Sequence, residues 1–277
     1  MSYLKFSSMI FVFLVSLSSS LFTFTSAADP TYLSDPTYLF HFCLNQTFTR
    51  DSTFQSNLNR LLSSLSSNAA HSSHGFSSAT IGQDPNRVYG LFQCRGDVTT
   101  PTCQHCVTFA SMEVTTQRCP DKKEAVIWYE QCLLRYSDSY IFSTAARNPR
   151  ISTYGNKAEP SWSQELMLSL MKEAAIQAAK DTKKFATRKG YSITSRTIYT
   201  LVQCTQDLSN NDCSGCLQEA ISGLPTGRIG GTTLLPSCNC RYELDLFYDE
   251  SLTPPPAPTL SPPSPVTRAK GIAWSTI

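Results

Sequence analysis

The sequence predicts an α+β fold built as two tandem modules, each a sheet packed with two helices and stapled by disulfides. Two observations carry that prediction. The spacing C-x8-C-x2-C occurs at Cys94, Cys103 and Cys106 and again, 110 residues on, at Cys204, Cys213 and Cys216. The flanks repeat as well: Val88-Tyr89-x-Leu91-x-Gln93 reads against Ile198-Tyr199-x-Leu201-x-Gln203, Asp97 against Asp207, and Cys132-x-x-Arg135-Tyr136 against Cys238-x-x-Arg241-Tyr242. A period of that length is one small domain, so the chain holds two copies of one unit.

The N-terminus decides how the cysteines are read. Lys5 precedes a mostly apolar run over residues 6–17, a Ser run and the small residues Ser26-Ala27-Ala28. This pattern is a secretory signal peptide over residues 1–28, cleaved near Ala28. Export places the eleven cysteines in an oxidising compartment, where they pair. The formal net charge is only +2 and there is no basic stripe, which removes the electrostatic case for nucleic acid. No second apolar run follows the signal, so no membrane span is expected in the mature chain.

The elements follow from periodicity. Phe54, Leu58, Leu61, Leu62 and Leu65 recur at helical spacing, predicting an amphipathic helix over residues 53–66. Residues 29–42 read as a lead-in, and the Ser-, His- and Gly-rich stretch 68–86 reads as a loop. Residues 88–94 have strand character. Thr102 is the expected N-cap of a helix carrying Cys103 and Cys106. Residues 125–129 and 133–142 read as strands. The second copy repeats the order: a helix over 162–180 with Leu166, Met167, Leu170, Met171 and Ala174 on one face, a strand over 197–204, a helix capped by Asp212, and strands over 232–235 and 241–248. The expected domains are 29–145 and 146–252. The proline-rich stretch 253–265 is extended and cannot build a core, so residues 253–277 are expected as a disordered tail.

The cysteine arithmetic narrows the bridges. Copy one has Cys43, Cys94, Cys103, Cys106, Cys119 and Cys132; copy two lacks counterparts of Cys43 and Cys119 alone. Joint absence points to a Cys43–Cys119 bond, because losing one partner strands a thiol. The remaining four admit three pairings. A Cys103–Cys106 bond is disfavoured by the narrow geometry of a disulfide across one helical turn. The preferred set is Cys94–Cys103 and Cys106–Cys132, with Cys204–Cys213 and Cys216–Cys238. Cys240 is left over, either as a free buried thiol, as an intermolecular bridge, or in exchange with Cys238 for Cys216.

These residues resemble the plant ginkbilobin-type cysteine-rich repeat, the salt-stress-response/antifungal domain. The resemblance rests on YGLFQC…CQHCV, YTLVQC…CSGCL and LLPSCNCRYELDLFY, and covers about residues 38–249. It implies a five-stranded antiparallel sheet with two helices per module and the disulfide pairing just preferred. Tandem copies in the family occur in secreted proteins, plasmodesmata-located proteins and receptor-like kinase ectodomains. The single-module antifungal member binds mannose through an Asn, an Arg and a Glu. Their positions here are Leu44, Val126 and Ser137 in copy one; in copy two Glu243 matches and Thr232 replaces the Arg. The family's adjacent cysteine pair has no counterpart at Leu224-Pro225-Thr226, where copy two is shorter than copy one.

Other signals are weaker. The two C-x2-C pairs lie too far apart for a structural zinc site in a secreted chain, so neither metal nor cofactor is expected. His71 and His74 sit in a Ser-rich stretch without carboxylates. Arg95-Gly96-Asp97 reads as ordinary loop, and Arg188–Gly190 as a solvated turn. Asn45-Gln46-Thr47 is a glycosylation sequon, which places Asn45 on the surface. There is no Ser/His/Asp grouping or carboxylate pair, and copy two has no histidine, so no duplicated catalytic site is expected. The reading is a non-catalytic, extracellular binding protein of the plant apoplast, monomeric or homodimeric, that recognises a carbohydrate or a partner ectodomain in defence or stress signalling. The alternatives are a truncated receptor-like kinase ectodomain and an antifungal mannose-binding lectin. Arg241, Tyr242 and Glu243 are the candidate ligand-binding residues.

Overall fold

The computed structural model describes residues 33–155, 164–191, 196–225 and 227–253. The signal segment, Trp162, Thr226 and the proline tract from residue 254 onward lie outside the described residues. The first module contains β1 (Tyr38–Cys43), α1 (Thr53–Ala69), β2 (Phe76–Ile81), β3 (Val88–Cys94), α2 (Thr100–Glu113), a π-helical turn (Val114–Arg118), β4 (Ala125–Tyr129) and β5 (Cys132–Ser137). The second contains β6 (Ile151–Tyr154), α3 (Gln164–Lys180), β7 (Phe185–Tyr191), β8 (Thr197–Cys204), α4 (Asn210–Ser222), β9 (Gly230–Leu235) and β10 (Cys238–Glu243). A 3-10 turn, Glu250–Leu252, follows.

The strands form two antiparallel sheets with the orders β1-β4-β5-β3-β2 and β6-β9-β10-β8-β7. The sheets have one topology, so the duplication seen in the cysteines extends to the backbone. Each sheet buries one face under its two helices. In the first module Leu58, Leu61 and Leu65 of α1 are fully buried with Phe92, Ile127, Leu134 and Tyr136. Burying each such leucine stabilises by about 1.5–3 kcal/mol. Gly90 permits the approach of α1: a Cβ there would lie 2.7 Å from a methyl of Leu61. In the second module Met167, Leu170, Met171 and Ala174 of α3 fill the same role, with Leu166 partly buried beside them.

The five disulfides are Cys43–Cys119, Cys94–Cys103, Cys106–Cys132, Cys204–Cys213 and Cys216–Cys238. Their layout explains the spacing. Cys94 and Cys132 are register partners on adjacent strands β3 and β5. Cys103 and Cys106, one turn apart on α2, bond to them one each. Cys204 and Cys238 are likewise partners across β8 and β10. Two bonds from one helical turn to two neighbouring strands fix both the position and the rotation of that helix. The Cys43–Cys119 bond closes 76 residues of chain. By chain entropy it is worth about 4.5 kcal/mol.

The structure corrects several sequence expectations. Four strands lie where loops, a lead-in or no element had been read: β1, β2, β6 and β7. All four are sheet edges. The Arg188–Gly190 run is not a turn; it pairs through β7 with Thr200, Tyr199 and Ile198. The strand expected over 133–142 ends at Ser137, and that over 241–248 at Glu243. The helix N-caps sit three residues earlier than read. Thr99 Oγ1 accepts from the Thr102 amide at 3.4 Å, and Ser209 Oγ accepts from the Asp212 amide at 3.1 Å. Thr102 and Asp212 are thus the far members of capping pairs.

Cys240 is the one free cysteine among the described residues and is fully buried. It faces the helix side of β10, in the same cluster as Cys216 and Cys238. Burial pushes its thiol up to about 12. A thiol-specific reagent should therefore leave the native protein unmodified and take up one equivalent in denaturant; stoichiometric labelling under native conditions would contradict the burial.

Candidate functional site

The sheet faces that do not carry helices meet each other. The register of β10 alternates Cys238, Cys240 and Tyr242 toward the helices with Asn239, Arg241 and Glu243 toward the opposite side. Tyr242, read from sequence as a ligand residue, is therefore core. It is 0% exposed, and its hydroxyl donates to the carbonyls of Pro225 at 3.0 Å and Arg228 at 3.2 Å. Burial pushes it up to about 12.

Arg241 is committed across the junction of the modules. Its Nη1 donates to both carboxylate oxygens of Glu130 at 2.6 Å, and its Nε to Glu243 Oε1 at 3.0 Å. The guanidinium lies over the Phe247 ring, 4.5 Å from its centre. Glu130 also meets Arg95 Nη1 at 3.4 Å. Arg95 in turn donates to both oxygens of Asp97, at 2.6 and 2.9 Å. Asp97 Oδ2 then accepts from the amide of Asp249 at 2.9 Å. One charge-assisted chain thus runs from the second module's last strand through the first module's β3–α2 loop and back to the second module's C-terminal segment.

The loop Arg95-Gly96-Asp97 is consequently a junction element, not an ordinary solvent loop. Gly96 is required there, because a Cβ would lie 2.3 Å from Cγ of Phe185. The duplication repeats part of this contact. Asp207, the counterpart of Asp97, accepts from the amide of Ser143 at 2.6 Å. Gln203 donates to the Cys94 carbonyl at 3.0 Å, while Gln93 accepts from the Gln206 amide at 3.1 Å. Between these polar contacts the apolar filling is shared: Leu234 of the second module joins Leu91, Val126, Trp128 and Leu133 of the first.

Glu243 and the missing family arginine gain an explanation. Thr232, which stands at the arginine position, is the register partner of Arg241 on the neighbouring strand. Arg241 supplies the arginine–glutamate contact from β10 that the resemblance places across β9 and β10. That pair is already closed onto Glu130. Asn45 is exposed at the end of β1, as a sequon asparagine must be to accept a glycan. His71 and His74 lie in the turn before β2, and the His74 carbonyl accepts from Gln206 at 2.7 Å. Among the described residues no group of three or more His, Cys, Asp or Glu is placed to hold a metal ion. No helix among them is long and apolar enough to cross a membrane. Sequence reasoning read Arg95 only as loop and Phe247 only as strand and singled out no role for Glu130, because the contacts of Glu130 and Phe247 with Arg241 depend on how the strands and modules pack.

Two outcomes test this junction. Glu130→Ala leaves Arg241 without its principal partner and should cost about 2 kcal/mol, with Arg241→Ala in the same background adding much less than it costs alone. Fully additive losses in denaturant titrations would show the pair to be uncoupled. Burial raises the Glu243 carboxyl above its ordinary 4.5, against the pull of Arg241. The fold then binds a proton that the unfolded chain has released. This contribution to stability grows as pH falls through the raised folded value toward 4.5, and is lost as pH rises. Glu243→Gln should remove that slope from the stability–pH profile; an unchanged slope would refute it.

Comparison with known proteins agrees with the architecture. The family model described as salt stress response/antifungal matches residues 42–139 and 147–245. Cysteine-rich receptor-like protein kinase 7 of Arabidopsis thaliana is 46% identical over 241 residues, which span 83% of this chain and 36% of that protein. Cysteine-rich receptor-like protein kinase 25 of the same plant is 44% identical over 258 residues, spanning 87% of this chain and 38% of its own length. A relative numbered 9 in that series, 46% identical over 232 residues, is covered over 87% of its length. The chain thus spans little more than a third of kinases 7 and 25 but most of the third relative. Among solved structures, the tandem DUF26 ectodomain of the Arabidopsis thaliana cysteine-rich receptor-like protein PDLP8 superposes with a TM-score of 0.64 at 22% identity, covering 76% of this chain and 98% of that one. The corresponding ectodomain of PDLP5 gives 0.61 at 25% identity, covering 75% and 98%. The chain belongs to the salt stress response/antifungal family, as a tandem pair of its domains with the fold of a cysteine-rich receptor-like ectodomain.

Proposed function

We propose that this chain is an exported recognition protein of the receptor-ectodomain type that docks a partner ectodomain and performs no chemistry. One observation carries this reading. The part of the larger receptor-like kinases that the chain matches is little more than a third of their length, and the solved structures with its fold are ectodomains. The unit shared with those proteins is their extracellular one. The relative that the chain covers over 87% supports a two-module unit that occurs largely by itself.

The site geometry favours a protein partner over mannose. Arg241 hydrogen-bonds both Glu243 and Glu130, so sugar hydroxyls would have to displace charge-assisted bonds rather than meet open donors. The cross-links and the junction present a preorganised surface, which lowers the ordering cost of docking. Export is the second part of the proposal: cleavage near Ala28 and a glycan on Asn45.

Expression of the full chain in plant cells should deliver it to the medium with an N-terminus near residue 29 and a mass that falls on enzymatic removal of N-glycans. The purified protein, immobilised against a panel of recombinant receptor-like ectodomains, should bind at least one saturably and show no saturable binding to a mannose-containing glycan array. Intracellular retention would overturn export. Glycan binding abolished by Glu243→Ala, with no ectodomain bound, would return the lectin reading.

A further inference from the structure

Local irregularities of the first module converge on one cluster of titratable side chains. In β1, Tyr38 pairs with Tyr129 but Phe40 already pairs with Trp128, so the register shifts between them. That bulge brings Tyr38 and His41, three residues apart, onto one face, the helix side where Tyr129 and Ile127 also stand. The π-helical turn Val114–Arg118 follows α2 directly and places Arg118 against β1. The Cys43–Cys119 bond then ties the end of β1 to the end of that turn. Copy two has no counterpart of this bond and no histidine.

The Tyr38 hydroxyl meets Nδ1 of His41. The Arg118 guanidinium lies over the Tyr38 ring, 4.0 Å from its centre. Its Nη2 donates to Oε1 of Glu113 at 2.9 Å, and the Tyr129 hydroxyl donates to the other carboxylate oxygen. Glu113 is buried, and both its oxygens are thus engaged. The charges that act on His41 are Arg118 from the π-helical turn and Glu113 from α2. The other titratable neighbours are the phenols of Tyr129 on β4 and Tyr38 on β1 itself. Burial first, and the Arg118 charge second, hold the imidazole below its ordinary 6.5, against the pull of Glu113.

Neutral imidazole offers Nδ1 as an acceptor, whereas imidazolium only donates. We propose that this cluster is an acid-sensitive latch on the edge of the first sheet: a proton on His41 takes away the acceptor of Tyr38 and sets a second cation beside Arg118, so β1 loosens from β4. β1 is paired on one side only and can loosen without parting the other strands. The Cys43–Cys119 bond keeps its end tethered. Its start reaches the junction, because the Thr37 carbonyl accepts from the amide of Glu130 at 2.9 Å. Acid at His41 is thereby transmitted to the residue that holds Arg241. The inference is independent of which partner the chain docks.

The unfolded chain takes up the proton before the fold does. This contribution to stability is whole above 6.5 and is lost as pH falls through 6.5 toward the lower folded value. His41→Asn tests it, because Asn leaves a non-titrating acceptor near the place of Nδ1. Between about pH 7.5 and about pH 5 the wild type should lose about 2–4 °C of melting temperature more than the variant. The opposite slope of Glu243 is common to both proteins and cancels in the difference. The wild type alone supplies a second readout, which decides by itself if the variant does not fold. In NMR the His41 ring should titrate with a midpoint below 6.5. Over the same range amide exchange in β1, corrected for its intrinsic pH dependence, should quicken about tenfold while that in β8 does not. A midpoint at or above 6.5, unresponsive β1 amides, or equal acid losses in the two proteins overturns the proposal.

Discussion

The structure depends on one constraint: two disulfides leave a single turn of helix and end on adjacent strands. In the first module Cys103 and Cys106 reach Cys94 and Cys132, and in the second Cys213 and Cys216 reach Cys204 and Cys238. One bond alone would let the helix swivel about it. Two bonds to strands about 5 Å apart remove that freedom. The helix therefore covers one sheet face in a fixed orientation, and the first strand's loop, Arg95-Gly96-Asp97, is held where it meets the other module. The spacing that announces the fold in the sequence is thus also the reason the junction forms.

The two copies have diverged around that common staple. The first adds Cys43–Cys119, which ties its edge strand to the end of the π-helical turn. The second has no such bond and instead carries Cys240 in a fully buried position. Its counterpart Leu134 fills the equivalent core place in the first module. A buried thiol behaves there as a small apolar side chain, which is why an unpaired cysteine persists beside two disulfides without joining them. The divergence at the junction is of another kind. Glu130 corresponds to no acid in the second copy, so the bond to Arg241 is made once, whereas the Asp97 and Asp207 contacts are made twice.

What could be read from the sequence was what is buried on two sides. Strands β3, β4, β5, β8, β9 and β10 lie inside their sheets; all but β10 show apolar or β-branched stretches, and β10 alternates buried Cys238, Cys240 and Tyr242 with polar residues. The four that were missed are the edges, and for three of them the residues explain it: Phe76-Ser-Ser-Ala-Thr-Ile and Ile151-Ser-Thr-Tyr mix hydroxyls with apolar groups, and β7 carries Arg188 and Lys189, whereas β1 is an aromatic run that was read as lead-in. Edge strands need only one paired side, and polar or charged residues keep the other side from pairing further. Five strands per sheet came from the family resemblance alone. The disulfide pairing was legible in part: counting pointed to Cys43–Cys119 and bond geometry disfavoured Cys103–Cys106, and of the two pairings left open the preferred one is what the family resemblance implies. The junction was not, since a contact between Arg241 and Glu130 leaves no periodicity in either copy.

The candidate site shows how neighbouring residues of one motif separate in the fold. Arg241, Tyr242 and Glu243 are consecutive, and a strand sends neighbours to opposite faces, so no surface can present all three. The register that buries Cys238, Cys240 and Tyr242 under the helices forces Asn239, Arg241 and Glu243 toward the other module. A single module would leave Arg241 and Glu243 on an open sheet face, free to meet a ligand. Duplication supplies Glu130 from the first copy and closes that face. Arg241 and Glu243 have thereby become part of what holds the two modules together, and the partner proposed above would meet surfaces that neither the helices nor the junction covers.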